Sequence, residues 1–494
     1  MGKDPLSLEI LPAACSLLLL ASSLFASHYL PAHNSLPRRR THLGDALKTG
    51  EPPRRYAVTN GRVLAIAIPM TLSNATTPLI GVVATAVIGR LGQAHTLGAV
   101  AMSSVVFDCM FWLFGFLRMG TVALTAQALG AADVAEQRAT LVRALLLAAV
   151  IGIALIALRT PLAAGTFALM GASPEVTSAG QAYFAIRIWS APLALANYVL
   201  LGWFVGLARA NTALGLQVVI NLVNAAMIAL LVIALDLGVA GAALATVTAE
   251  AAGAAVGLAL ALRILGMRPP DPSRVFDMAR VKRLFLINRD ILIRTAALIT
   301  AWLFFAAQGA RAGDVVLAAN SVLNNFVMVG AFFLDGFASA AEQLCGRAVG
   351  ARDQVAFGRA VKLSLIWGFG FGLGATLLFF AAGAQFIDLM TANEAVRLKA
   401  REFLGFAALA SVTGTFAFTF DGIYIGATWT RAMRDLMLAT LALYLAVWWL
   451  TKPLGNAGLW LAILTFLASR GMLQALRYPA LARQSFARGW MNAG

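Results

Sequence analysis

The chain is poor in charge. Asp, Glu, Lys and Arg make up 12% of its 494 residues, against 60% hydrophobic residues and a mean hydropathy of +0.80. A soluble domain of this length would lack the polar residues to cover its surface. Histidine is scarcer still: His28, His33, His42 and His95 all stand outside the apolar runs. An intramembrane hydrolase, acyltransferase or metalloprotease is thereby left without its general base or metal ligands, and the chain is not read as an enzyme. Three cysteines, Cys15, Cys109 and Cys345, lie far apart in apolar surroundings, which argues against a disulfide framework, a zinc site or any bound metal. No Walker A string occurs, so this chain does not itself carry ATP-driven export.

What the chain does have is a series of apolar stretches, each about twenty residues long, from Val63 to Leu476. A hydrocarbon core needs about that many residues per helical span, so they read as an integral membrane bundle. The spans are placed at 63–87, 97–129, 139–158, 182–206, 213–235, 239–265, 290–309, 315–345, 360–382, 402–427, 433–451 and 455–476. The fold class is therefore all-α integral membrane protein with twelve transmembrane helices. The formal charge of +16 sits in short connections rather than on one solvated face, which is a topology signal and not a nucleic-acid footprint. Arg38, Arg39, Arg40, Arg54 and Arg55 precede the first span. Arg268, Arg274, Arg280, Lys282, Arg283 and Arg289 fill the longest loop, and Arg477, Arg483 and Arg488 follow the last span. By the positive-inside rule these segments, and with them both termini, are cytoplasmic in a multi-pass inner-membrane protein.

The expected organisation is a basic amino-terminal extension (1–62), a six-helix bundle (63–265), a basic linker (266–289), a second six-helix bundle (290–476) and a basic tail (477–494). Residues 10–26 are apolar enough for a signal-like region or a short extra span, and a misassigned start site fits them equally. An internal repeat supports the two halves. Residues 114–133 (FGFLRMGTVALTAQALGAAD) and 332–353 (FFLDGFASAAEQLCGRAVGARD) both run through small residues to Gly-Ala and an Asp in the second helix of each half. Such repeats imply two pseudo-symmetric six-helix bundles with a site between or within them.

The strings IPMTLSNATTPLIGVVATAVIGRLG (68–92), GVAGAALATVTAE (238–250), NRDILIRT (288–295), LDGFASAAE (334–342) and FDGIYIGAT (420–428) resemble the DinF-like branch of the multidrug and toxic compound extrusion (MATE) transporters over Arg62 to Met472. The resemblance implies a V-shaped cavity between the bundles and alternating access. It also implies export of small organic, often cationic, compounds against an inward proton or sodium gradient, by a monomer in contact with membrane lipid and without a bound cofactor.

Such exchange needs carboxylates in the membrane, where each charge is costly and therefore presumptively functional. Proton and cationic substrate compete for one such group, because burial favours its neutral form and a bound cation its charged form. Asp108, Glu250, Asp335, Glu342 and Asp421 qualify by position. Asp335 and Glu342 are seven apart, two turns along one helical face, and the resemblance puts Asp421 in the same half. These three are the expected cation-binding cluster, with pairing of Asp335 or Glu342 to Arg347 as the structural alternative. Glu250 reads as a polar anchor first, and Asn197 and Asn224 as the amides carried toward the cavity. Pro69 and Pro78 mark kinks in the first helix, and the resemblance gives that helix a gating bend.

In the amino-terminal half the chain departs from the family pattern. The acidic position of a V-D-T-A-V-I-G string is Ala84 here, and the acidic position four after an asparagine in the fifth helix is Ile228, while Thr246 keeps a hydroxyl ligand. Coupling is then carried by the carboxyl-terminal carboxylates, carried by Asp108 (unless Arg118 pairs with it), or lost. A flippase for a lipid-linked precursor or an uncoupled facilitator is the alternative function. A flippase for an anionic headgroup would line its cavity with Arg and Lys, whereas the mid-span charges read as mainly acidic with Arg118 the main exception.

Overall fold

The computed structural model describes residues 57–89, 94–170, 174–266 and 270–487. The stretch 10–26 lies outside the described residues, as do the side chains of residues 77–89, among them Pro78 and Ala84. All regular structure among the described residues is helical. In chain order the α-helices are α1 (Asn60–Gly89), α2 (Ala94–Leu113), α3 (Phe116–Gly130), α4 (Val134–Ala157), α5 (Arg159–Met170), α6 (Pro174–Arg187), α7 (Ala191–Gly206), α8 (Ala210–Ile228) and α9 (Gly238–Leu265). They continue with α10 (Pro272–Val275), α11 (Met278–Arg311), α12 (Asp314–Gly350), α13 (Gln354–Met390), α14 (Glu394–Gly426), α15 (Thr430–Thr451) and α16 (Asn456–Ala487).

Eleven helical segments among the described residues are long and apolar enough to cross a membrane. α2 and α3 run together as one of them, and so do α6 and α7. α1, thirty residues with Arg62 as its one charge, takes the place of the expected first span. Large apolar side chains such as Leu377, Leu378, Phe380 and Leu443 are exposed, as they must be on helices whose solvent is hydrocarbon.

Several helices outrun the expected spans. α11 begins at Met278 rather than 290, because Asp277 caps it by accepting the backbone N–H groups of Ala279 and Arg280. Residues 278–289 of the expected linker are therefore the first turns of a membrane helix. α16 likewise runs on to Ala487. Pattern reading stops where charge begins, whereas a capped helix continues past the hydrocarbon edge.

The two halves repeat one another in backbone detail. α3 packs on α7, and α12 on α14, through glycines at a constant sequence offset. A Cβ on Gly202 would meet Arg118 O at 2.5 Å, and one on Gly422 would meet Ala338 O at 2.1 Å. Gly206 and Gly426 stand in the same way against Val122 O (2.9 Å) and Glu342 O (2.3 Å). Small residues let helix backbones approach this closely in a membrane. The turns that follow repeat too: Ala132 and Arg352 have φ of 55° and 53°, and Asp133 and Asp353 cap the next helices. The expected pseudo-symmetric pair of bundles is thus present. α1 packs against α8 of its own half and against α12 of the other.

Candidate functional site

Each half encloses a charged centre, and the two differ. In the carboxyl-terminal half, Asp421 of α14 is buried and paired with Arg294 of α11 and Arg470 of α16, and it accepts a hydrogen bond from Gln474 Nε2 at 2.7 Å. Two guanidiniums thus share one carboxylate. Arg294 Nε and Arg470 Nε and Nη1 are buried without a hydrogen-bond partner. In the amino-terminal half, Arg187 of α6 donates to Glu250 of α9 through both terminal nitrogens, at 2.6 and 3.0 Å, and lies over the rings of Phe107 and Phe111. At the offset that relates the glycines, Glu250 corresponds to Arg470. Equivalent positions carry opposite charge.

A third group lies where the halves meet. Asp335 of α12 accepts from Asn74 Nδ2 of α1 at 2.9 Å and from Arg118 Nη2 of α3 at 3.3 Å, so it ties its own half to two helices of the other. Glu342 is two turns further along α12, buried, with Arg118 and Asp335 within Coulombic reach. Its Oε1 has no hydrogen-bond partner.

The three expected carboxylates are held differently but are linked through arginines: Arg118 lies within Coulombic reach of Asp335 and Glu342, and Arg294, a partner of Asp421, within reach of Asp335. Asp335 looks across the interface, Asp421 is held inside its own half, and Glu342 is buried with an oxygen unclaimed. Asp335 pairs with Arg118 rather than Arg347. That also corrects the pairing of Arg118 with Asp108, whose Coulombic partner is Arg187. The reading of mid-span charge as mainly acidic fails as well, since Arg187, Arg294 and Arg470 are buried within the helices. Arg294 and Arg470 lie inside the expected spans 290–309 and 455–476, yet neither entered the reading of mid-span charge. An arginine inside an apolar run was the signal available in the sequence, and its natural partner was a carboxylate on another helix.

The remaining candidates lie around the amino-terminal centre. Asn197 of α7 is buried and donates from Nδ2 to Glu250 O at 3.0 Å, while its Oδ1 is left without a partner. Asn224 is buried on α8. Thr246 Oγ1 donates to Ala242 O one turn back on α9, at 3.1 Å. Ile228, where the family pattern has an acid, is buried and immediately precedes a π-helical turn, Ala229–Ala234. Pro69 is buried in α1, which continues as one helix through it and through Pro78.

The basic linker is anchored to the amino-terminal half. Arg274 reaches Asp133 at 2.8 and 2.9 Å, Arg280 and Arg143 share Glu136, and Arg138 donates to Leu265 O at 2.7 Å. Burial pushes the Asp133 carboxyl up, but the Glu136 backbone N–H and Arg274 outweigh it and hold the group below the usual aspartate range.

The family model MatE matches residues 69–231 and 296–450, one block in each half. The chain is 38% identical over 416 residues to DNA damage-inducible protein F of Escherichia coli (strain K12), covering 82% of this chain and 89% of that one. It is 26% identical over 432 residues to a probable multidrug resistance protein NorM of Rhizobium meliloti, covering 80% and 88%. Among solved structures, an outward-facing multidrug resistance MATE family transporter of the MOP superfamily superposes with a TM-score of 0.75 at 20% identity, over 85% of this chain and 96% of that one. A two-block family match and a relative this similar along most of both lengths have one meaning: this multi-pass membrane protein belongs to the MatE family.

Proposed function

We propose that the protein is an alternating-access exporter of small organic cations in the cytoplasmic membrane, driven by proton antiport through Glu342. The observation that carries this reading is the unclaimed Oε1 of Glu342, buried beside an ion pair that joins the two halves. Glu250, Asp335 and Asp421 are each held by an arginine and so are poorly placed to trade a proton for a substrate. Glu342 can do both, because a proton needs a single oxygen and a cationic substrate would replace it there. A sodium ion asks for several converging oxygen ligands. Loss of acids at Ala84 and Ile228 removes the two amino-terminal acids of the family pattern and favours the carboxyl-terminal half as the carrier of coupling. Similarity to a probable multidrug resistance protein supports the substrate class. The test is efflux of a fluorescent organic cation from proteoliposomes under a pH gradient, a sodium gradient or neither. Acceleration by the pH gradient alone supports the proposal, and acceleration by sodium or by neither contradicts it.

A second reading has its own observation. Arg294 and Arg470 outnumber Asp421, and their free N–H groups suit an anionic group, as a lipid-linked precursor would present. Faster movement of an anionic amphiphile than of the cation in the same liposomes would favour it.

A further inference from the structure

Away from these centres, the first turns of α11, the start of α15 and the end of α16 enclose a cavity of about 1160 Å³, above the roughly 300–1,000 Å³ of ordinary small-ligand sites. Six cations line it, Lys282, Arg283, Arg289, Arg431, Arg434 and Arg477, against two carboxylates, Asp290 and Asp435. Both carboxylates are already engaged: Asp290 by Arg289 at 3.0 Å and Arg434 at 2.7 Å, Asp435 by Arg434 at 2.6 Å. Arg283 donates to a neutral acceptor, Gln127 Oε1, at 2.6 Å. Lys282, Arg431 and Arg477 are exposed and form no ion pair with a described carboxylate. The cavity thus keeps a surplus of positive charge aimed into one concave space.

Its other features point to an amphiphile. Leu286, Leu436 and Leu481 line it beside the cations. On the surrounding segment Phe276, Met278 and Phe285 are 69%, 74% and 59% exposed. Exposed apolar side chains interleaved with Arg and Lys at the ends of membrane helices belong at the level of lipid headgroups. Positive charge there is ordinary, but here three helices collect it around a cavity.

We propose that this cavity binds the phosphate headgroup of an anionic phospholipid, with the acyl chains leaving over its leucine-lined side. Guanidinium groups match phosphate oxygens in fork geometry, and basic pockets between membrane helices hold such headgroups.

Native mass spectrometry of the full-length protein in detergent tests this, with phosphatidylglycerol and cardiolipin as probes, phosphatidylcholine as the neutral lipid and inorganic phosphate as the free anion. The expected result is retention of the anionic lipids and weakening on the order of 100-fold in K282Q/R431Q/R477Q, from about 1 kcal/mol per basic residue. A control neutralising exposed arginines outside the cavity, R209Q/R352Q/R359Q, should leave binding unchanged. Equal loss in both triples, equal retention of phosphatidylcholine, or displacement of lipid by equimolar phosphate would overturn the proposal. Photocrosslinking of wild-type protein with an azido-phosphatidylglycerol needs no variant: labels on α11, α15 and α16 support the site, and labels spread over other helix ends refute it.

Discussion

Gly130 and Gly350 face each other across the crossing of α3 and α12, each against the backbone of the other helix. A Cβ on Gly130 would come within 2.0 Å of Arg347 O, and one on Gly350 within 2.0 Å of Gln127 O. The crossing joins the second-helix segments of the two halves near the end of α3, where Arg274 of the linker meets Asp133. Gly350→Val should hold the halves apart there. Overpacking costs about 1–3 kcal/mol, and backbone contact on this scale belongs at the upper end. The expected outcome is loss of transport with a rise in labelling of cysteines introduced along the side of α3 that packs on α12. Normal transport in the variant would show that the halves do not pass through this packed state.

The Arg118–Asp335 pair spans the same interface while partly accessible, with side chains 22% and 29% exposed. A pair of this kind contributes at most about 1 kcal/mol to stability. Asp335→Asn should therefore leave the melting temperature nearly unchanged while altering the balance of conformations. Transport should fall and be partly restored by exchanging the two residues in R118D/D335R. A large loss of melting temperature in the single variant would instead mark the pair as a structural tie.

Asp421→Asn should behave differently, because it strands two buried guanidiniums. Removing one member of a buried ion pair costs about 3–5 kcal/mol. The variant is expected to unfold at markedly lower temperature in detergent, and Arg294→Met added to it should recover part of the loss. Additive destabilisation in the double variant would count against the shared pairing.

The linker clamp responds to acid. The Asp133 carboxyl is held below its ordinary range in the folded protein, so the stability it contributes is present above that range and is lost as pH falls through its depressed value. Hydrogen exchange in α10, taken relative to its intrinsic rate at each pH, should be slow at neutral pH and faster in acid. In Asp133→Asn it should be fast already at neutral pH and less dependent on acid, and identical profiles would remove Asp133 from the clamp.

Much of this architecture was legible beforehand. The repeat between 114–133 and 332–353 located the halves, because packing at the crossing demands small residues in both copies. The carboxylates Asp335, Glu342 and Asp421 stood out because acids are costly in an apolar run. Their partners did not, since Asp335 meets α1 and α3 of the other half and Asp421 meets α11 and α16, contacts that only the fold creates. Arg294 and Arg470 stood inside the expected spans but were passed over, because their partner Asp421 lies on a third helix, and only the fold brings the three together. The cavity between α11, α15 and α16 was illegible because its cations come from three separate segments, 279–290, 428–436 and 477–484, that only the fold brings together.

The most direct test concerns Glu342 itself. Titrating purified protein with an organic cation in weakly buffered solution, with a pH indicator, reads proton release on binding. Wild type should release about one proton per substrate bound near neutral pH, and Glu342→Gln should bind with no release. Release that persists in Glu342→Gln, or its absence in wild type, would place the exchange elsewhere and contradict the account.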